Sequence, residues 1–169
     1  LLTTKPILYV CNVGEADAAD GNTHSAAVAK MAAEQGNSHV IISAQIEEEI
    51  SQLEDDEAKM FLTEMGLEEA GLDRLIRAGY ELLTLDTYFT VGPKEARAWT
   101  IKNGTSAPQA AGVIHGDFER GFIRAETIAY LDFVELGGEN PAKDAVKMRS
   151  EGKTYIVQDG DVMHFLFNT

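Results

Sequence analysis

Cysteine is almost absent, with Cys11 alone among 169 residues. One thiol closes no internal disulfide, excludes paired-cysteine zinc sites and suits a reducing compartment. Proline is scarce at 4 residues, and no run reaches the ~18 apolar residues of a membrane-spanning helix. The amino terminus lacks the basic, apolar and small-residue order of a secretory signal, so a cytoplasmic protein with no membrane partner is expected. Positive charge is in deficit: 14 Lys and Arg face 28 Asp and Glu, a net charge of −14. A basic coat for DNA is thereby excluded, and any contact with a phosphate polymer must be local. The deficit is uneven, since residues 1–80 hold 15 acidic and 5 basic side chains and the remainder 13 and 9.

Catalytic signatures are missing too. Neither GxxxxGK[ST] nor GxGxxG occurs, so no phosphate cradle or magnesium-binding hydroxyl of those kinds can be named. GxSxG and HExxH are absent, and His24, His39, His115 and His164 are scattered without metal-ligand spacing. No catalytic residue and no metal ligand is assigned.

What is present reads as a folded chain of one ordinary domain or two small ones, with 44% hydrophobic and 25% charged residues. Ile7 to Cys11 is a continuous apolar run of strand formers, the pattern of a parallel strand buried on both faces. A helix follows from about Thr23 to Gln35, capped by Asn22 and ended by Gly36. His39 to Ile42 predicts a second buried strand, and Ile46, Ile50 and Leu53 the inward face of the next helix. Ala58, Phe61, Leu62 and Met65, then Leu72, Leu75, Ile76, Gly79, Tyr80 and Leu83, mark two further helices with one buried face each. Two parallel strands make no stable sheet alone, so residues 1–83 read as the end of a larger α/β domain.

From Leu82 the pattern changes to short strands and tight turns. Tyr88 to Thr90, the turn Val91 to Lys94, and Glu95 to Ile101 predict a hairpin. Thr105 or Ser106 caps a short helix with Pro108 in its first turn. A strand follows from about Phe122 to Tyr130, then helical pieces at 132–136 and 141–148. A closing hairpin is expected to pair Thr154 to Val157 with Val162 to Phe167 across Asp159-Gly160. Hairpin, helix, strand, small helix and two strands is the order of an α+β ubiquitin-like β-grasp over residues 84–169.

The candidate chemistry lies at the carboxyl ends of the first two strands, where α/β sheets bind ligands. Asn12, in Asn12-Val13-Gly14-Glu15, offers an amide that matches adenine N6 and N7, or else it only turns the chain. Ser43-Ala44 places backbone amides beside the same point, or is simply a helix N-cap. In the second half Lys94, Arg97, Lys102, Arg120 and Arg124 are expected on one face that could meet RNA phosphates, with Tyr88, Phe118 or Phe122 either available for stacking or, as apolar residues of a small domain usually are, part of the core. Arg120 and Arg124 could equally pair with Glu119 and Glu126. The runs Glu47 to Glu49 and Glu54 to Glu57 read as solvated helix faces, and His115 and His164 as structural side chains.

Five long, collinear segments carry a resemblance: KPILYVCNVGEAD, ISAQIEEEI, EMGLEEAGLDRLIRAGYELLTLDTYFTVGPKEARAWTI, TSAPQAAGVIHGDFERGFIRAETIAY and YIVQDGDVMHFLFN. They resemble the YchF family, the Obg-like ATPases among the P-loop NTPases, over essentially the whole chain. The resemblance implies that residues 1–83 are the last part of a Ras-like nucleotide-binding domain and residues 84–169 a TGS domain. It implies that Asn12 to Glu15 is the NxxE base-recognition motif that replaces NKxD of true GTPases, and that Asn12, Val13, Glu15, Ser43 and Ala44 bind the nucleotide. NKxD uses an Asp to accept two guanine N–H donors that adenine cannot supply together, so its loss goes with a preference for ATP. Ser43-Ala44 matches the family's SA motif, although Gln45 stands where a Lys is usual. The P-loop, switch regions and helical insertion would precede Leu1, and Thr169 would close the final strand. ATP and magnesium are thus expected in the intact protein, with none tightly bound to this chain and no hydrolysis by it alone. The implied partners are an adenine or guanine nucleotide and the ribosome or its RNA, met in part through Lys94, Lys102, Arg120 and Arg124. The alternative is an RNA- or ribosome-binding β-grasp module without enzymatic activity.

Overall fold

The computed structural model describes residues 4–168, and Thr169, expected to close the last strand, lies outside them. The chain divides into two compact units, Leu1–Leu83 and Thr84–Thr169.

In the first unit β1 (Leu8–Asn12) leads through a 3-10 turn (Glu15–Asp17) to α1 (Thr23–Glu34) and then to β2 (Ser38–Ile42). The strands are parallel, in register from Leu8 opposite Ser38 to Asn12 opposite Ile42, with α1 as the crossover helix such a pair requires. Asn22 starts α1 as its sequence suggests. Its Oδ1 accepts from His24 N–H and Ser25 N–H, both at 3.0 Å, and its own N–H donates to Ser25 Oγ at 2.8 Å. Three helices follow: α2 (Ala44–Ile50), α3 (Asp55–Glu64) and α4 (Gly71–Leu83). Ala18, Ile46 and Leu67 are buried together, with Ile50, Phe61, Leu62 and Met65 packed around them.

Two expectations for this unit are corrected. The first strand is not buried on both faces, because Val10 is 45% exposed in a sheet of two strands. Nor is Glu47 a solvated side chain: Oε1 accepts from Gly71 N–H at 2.7 Å and Oε2 from Leu72 N–H at 3.2 Å. Its carboxylate satisfies amides that the first turn of α4 leaves without intrahelical partners.

The second unit is built on a five-stranded sheet. β3 (Leu85–Val91) pairs antiparallel with β4 (Ala96–Lys102) over seven positions. Then come α5 (Ala107–Ile114), α6 (Gly116–Arg120), β5 (Phe122–Ala129), α7 (Tyr130–Leu136), α8 (Glu139–Asp144), β6 (Arg149–Glu151) and β7 (Asp161–Phe167). The strand order is β4-β3-β7-β5-β6, with β7 parallel to β3 and antiparallel to β5. Ala107, Ala110 and Ala111 are fully buried and give α5 a small-residue face. Tyr88, at the centre of the core, donates its hydroxyl to Ala110 O at 2.9 Å and meets Phe165 edge-on; burial pushes its phenol pKa up. Ser106 starts α5 with its N–H and hydroxyl both donated to Gln109 Oε1, at 3.0 and 2.9 Å.

The closing hairpin does not form. Thr154 to Val157 is a loop with one isolated bridge, Ser106 to Ile156, and β7 enters the sheet between β3 and β5. The cause is Asp161, buried at the start of β7. It accepts from Tyr155 Oη at 2.7 Å, Gln158 N–H at 3.0 Å and Arg149 Nη2 at 3.2 Å. A carboxylate so placed draws the preceding loop around itself, where a two-strand ladder would hold that loop extended.

Candidate functional site

The carboxyl ends of the two parallel strands are joined by a side chain. Asn12 Oδ1 accepts from Ala44 N–H at 3.0 Å, and Val13 N–H donates to Ile42 O at 2.9 Å. Because an amide N–H can only donate, the Asn12 oxygen must be the atom that faces Ala44. The bond ties the Asn12–Glu15 loop to the β2–α2 junction across 32 residues of sequence, and such a tether contributes about 1 kcal/mol. Asn12 keeps both Nδ2 hydrogens and one Oδ1 lone pair, a donor and an acceptor on one exposed amide. Glu15 is exposed at the start of the 3-10 turn and Val13 is half-buried.

Ser43 occupies the N-cap position of α2 but its side chain makes no capping bond. It is 2% exposed, and its hydroxyl has no hydrogen-bond partner among the described residues. Such an orphaned buried hydroxyl costs on the order of 1–3 kcal/mol. Ala44 and Gln45 beside it are exposed. A separate groove of about 360 Å³ runs along β1 and the start of α1, lined by Tyr9, Asn12, Val13, Asn22, His24 and Ser25. Asn12 and Val13 therefore face both features, and Ser43 and Ala44 only the first.

The expected basic face is not one patch. Lys94 lies in the β3–β4 turn and Lys102 at the other end of β4, opposite Leu85, roughly 20 Å away at strand rise. Arg124 sits on β5 opposite Leu166, three strands across the sheet from β4. Arg120 ends α6 and is paired with Asp117 rather than Glu119, while Arg124 reaches Glu126 at 3.5 Å. Sequence spacing lists the cations but carries no strand register, which is what separates them. Tyr88 and Phe122 are buried and closed to a base, and Phe118 is half-buried with one ring face stacked on Phe167. His115 Nδ1 accepts from Asp117 N–H at 3.2 Å, starting α6. Among the described residues no three His, Cys, Asp or Glu group to hold a metal ion, and no helix is long and apolar enough to cross a membrane.

Sequence alternation sets Arg97 and Trp99 on one face of the strand but does not give the contact between them. They are two apart on β4, and the Arg97 guanidinium lies 4.1 Å from the Trp99 ring centre, a cation–π contact. Trp99 Nε1 donates to Thr90 Oγ1 at 2.9 Å. The alternation of β4 carried the signal, since residues two apart share a face.

Comparison with known proteins adds the following. Residues 85–168 match the family model YchF-GTPase_C, described as a protein of unknown function (DUF933). The chain is 56% identical over 170 residues to the "Ribosome-binding ATPase YchF" of Bacillus subtilis, and 58% identical over 167 residues to the protein of that name in Haemophilus influenzae. Each alignment covers 99% of this chain and 46% of the relative, so the chain spans about half the length of the curated relatives it matches. Among solved structures, one titled the Schizosaccharomyces pombe YchF GTPase superposes with a TM-score of 0.81 at 36% identity, over 98% of this chain and 44% of that one. A GTP binding protein from Pyrococcus horikoshii superposes at 0.64 with 19% identity, over 97% and 46%, a likeness of fold.

Proposed function

The chain belongs to the YchF family, and on that premise we propose that its first unit is the base-facing end of an ATP-binding domain and its second a TGS module that docks on the ribosome. The observation that carries the first part is the Asn12–Ala44 hydrogen bond. It couples the Asn-x-x-Glu loop to the Ser-Ala turn at the strand ends where α/β sheets take ligands. Asn12 then presents donors and an acceptor to adenine N7 and N6, and the Ser43 hydroxyl remains to be satisfied there. Glu15 stands where an Asp would accept the two guanine donors, and its side chain, one methylene longer, carries the carboxylate away from that place, which weakens the basis for selecting GTP. The relatives' names divide between ATPase and GTPase. Magnesium and the phosphates have no assigned residue among those described. Hydrolysis belongs to the whole protein, in the cytoplasm where ribosomes work. The exposed Val10 and Met31 mark faces that further elements of such a domain would cover.

The second part rests on topology. A hairpin, a helix on the sheet, and a last strand inserted parallel beside the first are the plan of a β-grasp, and the order β4-β3-β7-β5-β6 follows it.

Nucleotide selectivity tests the first part. In the protein carrying its complete nucleotide domain, ATP and GTP dissociation constants are measured for the wild type, Asn12→Asp and Asn12→Ala. Asn12→Asp keeps the acceptor for Ala44 N–H and removes both amide donors. Asn12→Ala also removes the Oδ1 acceptor that only the adenine N6 amino group can use, so there the ratio favouring ATP should fall about tenfold, or ~1.4 kcal/mol, whereas Asn12→Asp loses only the donor to N7 that both purines share and should weaken both nucleotides with stability retained. Unchanged selectivity in Asn12→Ala makes Asn12 a tether only. Micromolar ATP binding by this chain alone would overturn the view that most binding energy lies outside it. Co-sedimentation with ribosomes at physiological salt, beside an Arg120→Glu, Arg124→Glu double variant, tests the second part. Binding lost in the double variant supports docking through that surface. Equal binding by both proteins refutes it.

A further inference from the structure

The outer edge of the second unit's sheet carries features that neither the base site nor the Arg120–Arg124 surface uses. β4 is an edge strand, paired with β3 at seven consecutive positions without a bulge, and it contains no proline. Hydrogen bonds at both ends set its phase: Gly92 N–H donates to Glu95 O, and Asn103 N–H to Thr84 O, each at 2.8 Å. Every second pair of an antiparallel ladder exchanges bonds. Arg97, Trp99 and Ile101 therefore bond across to β3, while Ala96 and Ala98 turn their N–H and C=O outward. Both alanines are exposed and small, so a further strand can approach to the ~4.8 Å ladder spacing.

The surface beside this edge is shaped and charged. A groove of about 600 Å³ extends from Pro93 and Lys94 past Arg97 and Trp99 to Ile114. A second, of about 430 Å³, lies along Ile101, Lys102, Gln109 and Val113. Among the described residues Lys94, Arg97 and Lys102, like Lys143 and Lys153, have no carboxylate within ion-pairing distance, whereas Arg120, Arg124, Lys147 and Arg149 of the same unit each do. The carboxylates in the two grooves are Glu95 and Glu119. Three cations without a carboxylate partner fall on this one edge hairpin, Arg97 resting on the Trp99 ring, in a chain with twice as many acids as bases.

We propose that this edge binds an extended, acidic peptide segment of a partner protein, added to the sheet as a strand outside β4. The outward groups of Ala96 and Ala98 supply the main-chain bonds, the Trp99 groove takes an apolar side chain, and Lys94, Arg97 and Lys102 meet the carboxylates. This is strand addition to an open edge, in which backbone bonds supply affinity and alternate side chains supply selectivity.

The test selects displayed random dodecapeptides against the whole chain and titrates the winning peptide, and separately dodecauridylate, into the 15N-labelled chain. Enriched peptides should carry an acidic and an apolar residue two apart, matching Arg97 and Trp99 on one face of β4. The winner should shift the Ala96 and Ala98 amides and the Trp99 indole, and slow hydrogen exchange at both amides at least tenfold. Arg97→Glu should weaken binding at least tenfold. So should Ala98→Pro, which removes an outward N–H and no hydrogen bond of the β3–β4 ladder. Circular dichroism reports whether each variant is folded, and Arg97→Glu, a surface change, decides the matter if Ala98→Pro unfolds. No enrichment, enriched peptides that shift other residues, or retained affinity in Arg97→Glu overturns the proposal. A response of these amides to dodecauridylate without one to peptide assigns the edge to RNA and also overturns it.

Discussion

Replacing Asp161 by Ala should cost the second unit about 3 kcal/mol. The carboxylate is 2% exposed and accepts from Tyr155 Oη at 2.7 Å, Gln158 N–H at 3.0 Å and Arg149 Nη2 at 3.2 Å. Hydrogen bonds to a charged group contribute about 1.5–3 kcal/mol each, so the first two dominate. The Arg149 side chain is 48% exposed, and an ion pair with so wet a partner adds only about 0–1 kcal/mol. Tyr155 is half-buried and recovers part of its loss from water, which brings the total to about 3 kcal/mol. Asp161→Asn keeps shape and one acceptor and should cost about half as much. Trp99 is the only tryptophan and lies in this unit, so its fluorescence in urea reports the unit's unfolding. With a denaturant slope of about 1 kcal/mol/M for a domain of this size, the midpoint should drop by about 3 M for Asp161→Ala. A drop below about 0.5 M at unchanged slope would show that the loop holds without the carboxylate.

Val146 has φ 59° and is 86% exposed, so Val146→Gly relieves roughly 1–2 kcal/mol of left-handed strain against roughly 0.5–1 of added chain entropy. Thermal unfolding should show a net gain of about 0.5–1 kcal/mol, and no gain would place a compensating contact at the valine. Glu47→Ala strips the acceptor from Gly71 and Leu72 N–H. Those two amides should exchange with solvent at least tenfold faster, at a cost of about 1–2 kcal/mol, and unchanged exchange would contradict the capping role. Burial and the neighbouring Asp161 push the Tyr155 phenol up to about 12 from 10. The unfolded chain then ionises first as pH rises, so this stability is full below pH 10 and is lost between about pH 10 and 12. Tyr155→Phe should flatten that slope, and an identical slope would refute the link.

Where local chemistry decides, the sequence suffices. Asn22 and Ser25 start α1 because their side chains reach amides within the same turn, and the apolar spacing of residues 72–83 makes a helix whatever lies beside it. The hairpin of β3 and β4 is equally local, joined by a short turn with Gly92 and Pro93. At the candidate site, Asn12 and Ser43-Ala44 are legible as residues at strand ends. Their hydrogen-bonded union is not, because 32 residues separate the partners and periodicity carries no information about which loops meet.

Tertiary structure decided the rest. Thr154 to Val157 has the composition of a strand, but the buried Asp161 holds it as a loop, and β7 finds its partners in β3 and β5. Glu47 lies in an acidic run typical of a wet surface, but α4 brings two unpaired amides to it. Lys94 and Lys102, eight residues apart in sequence, stand at opposite ends of an extended strand, where a helix would have placed them about 12 Å apart. A residue's type and spacing determine which element it joins, and only the pairing of elements determines which polar groups lose water and must find one another.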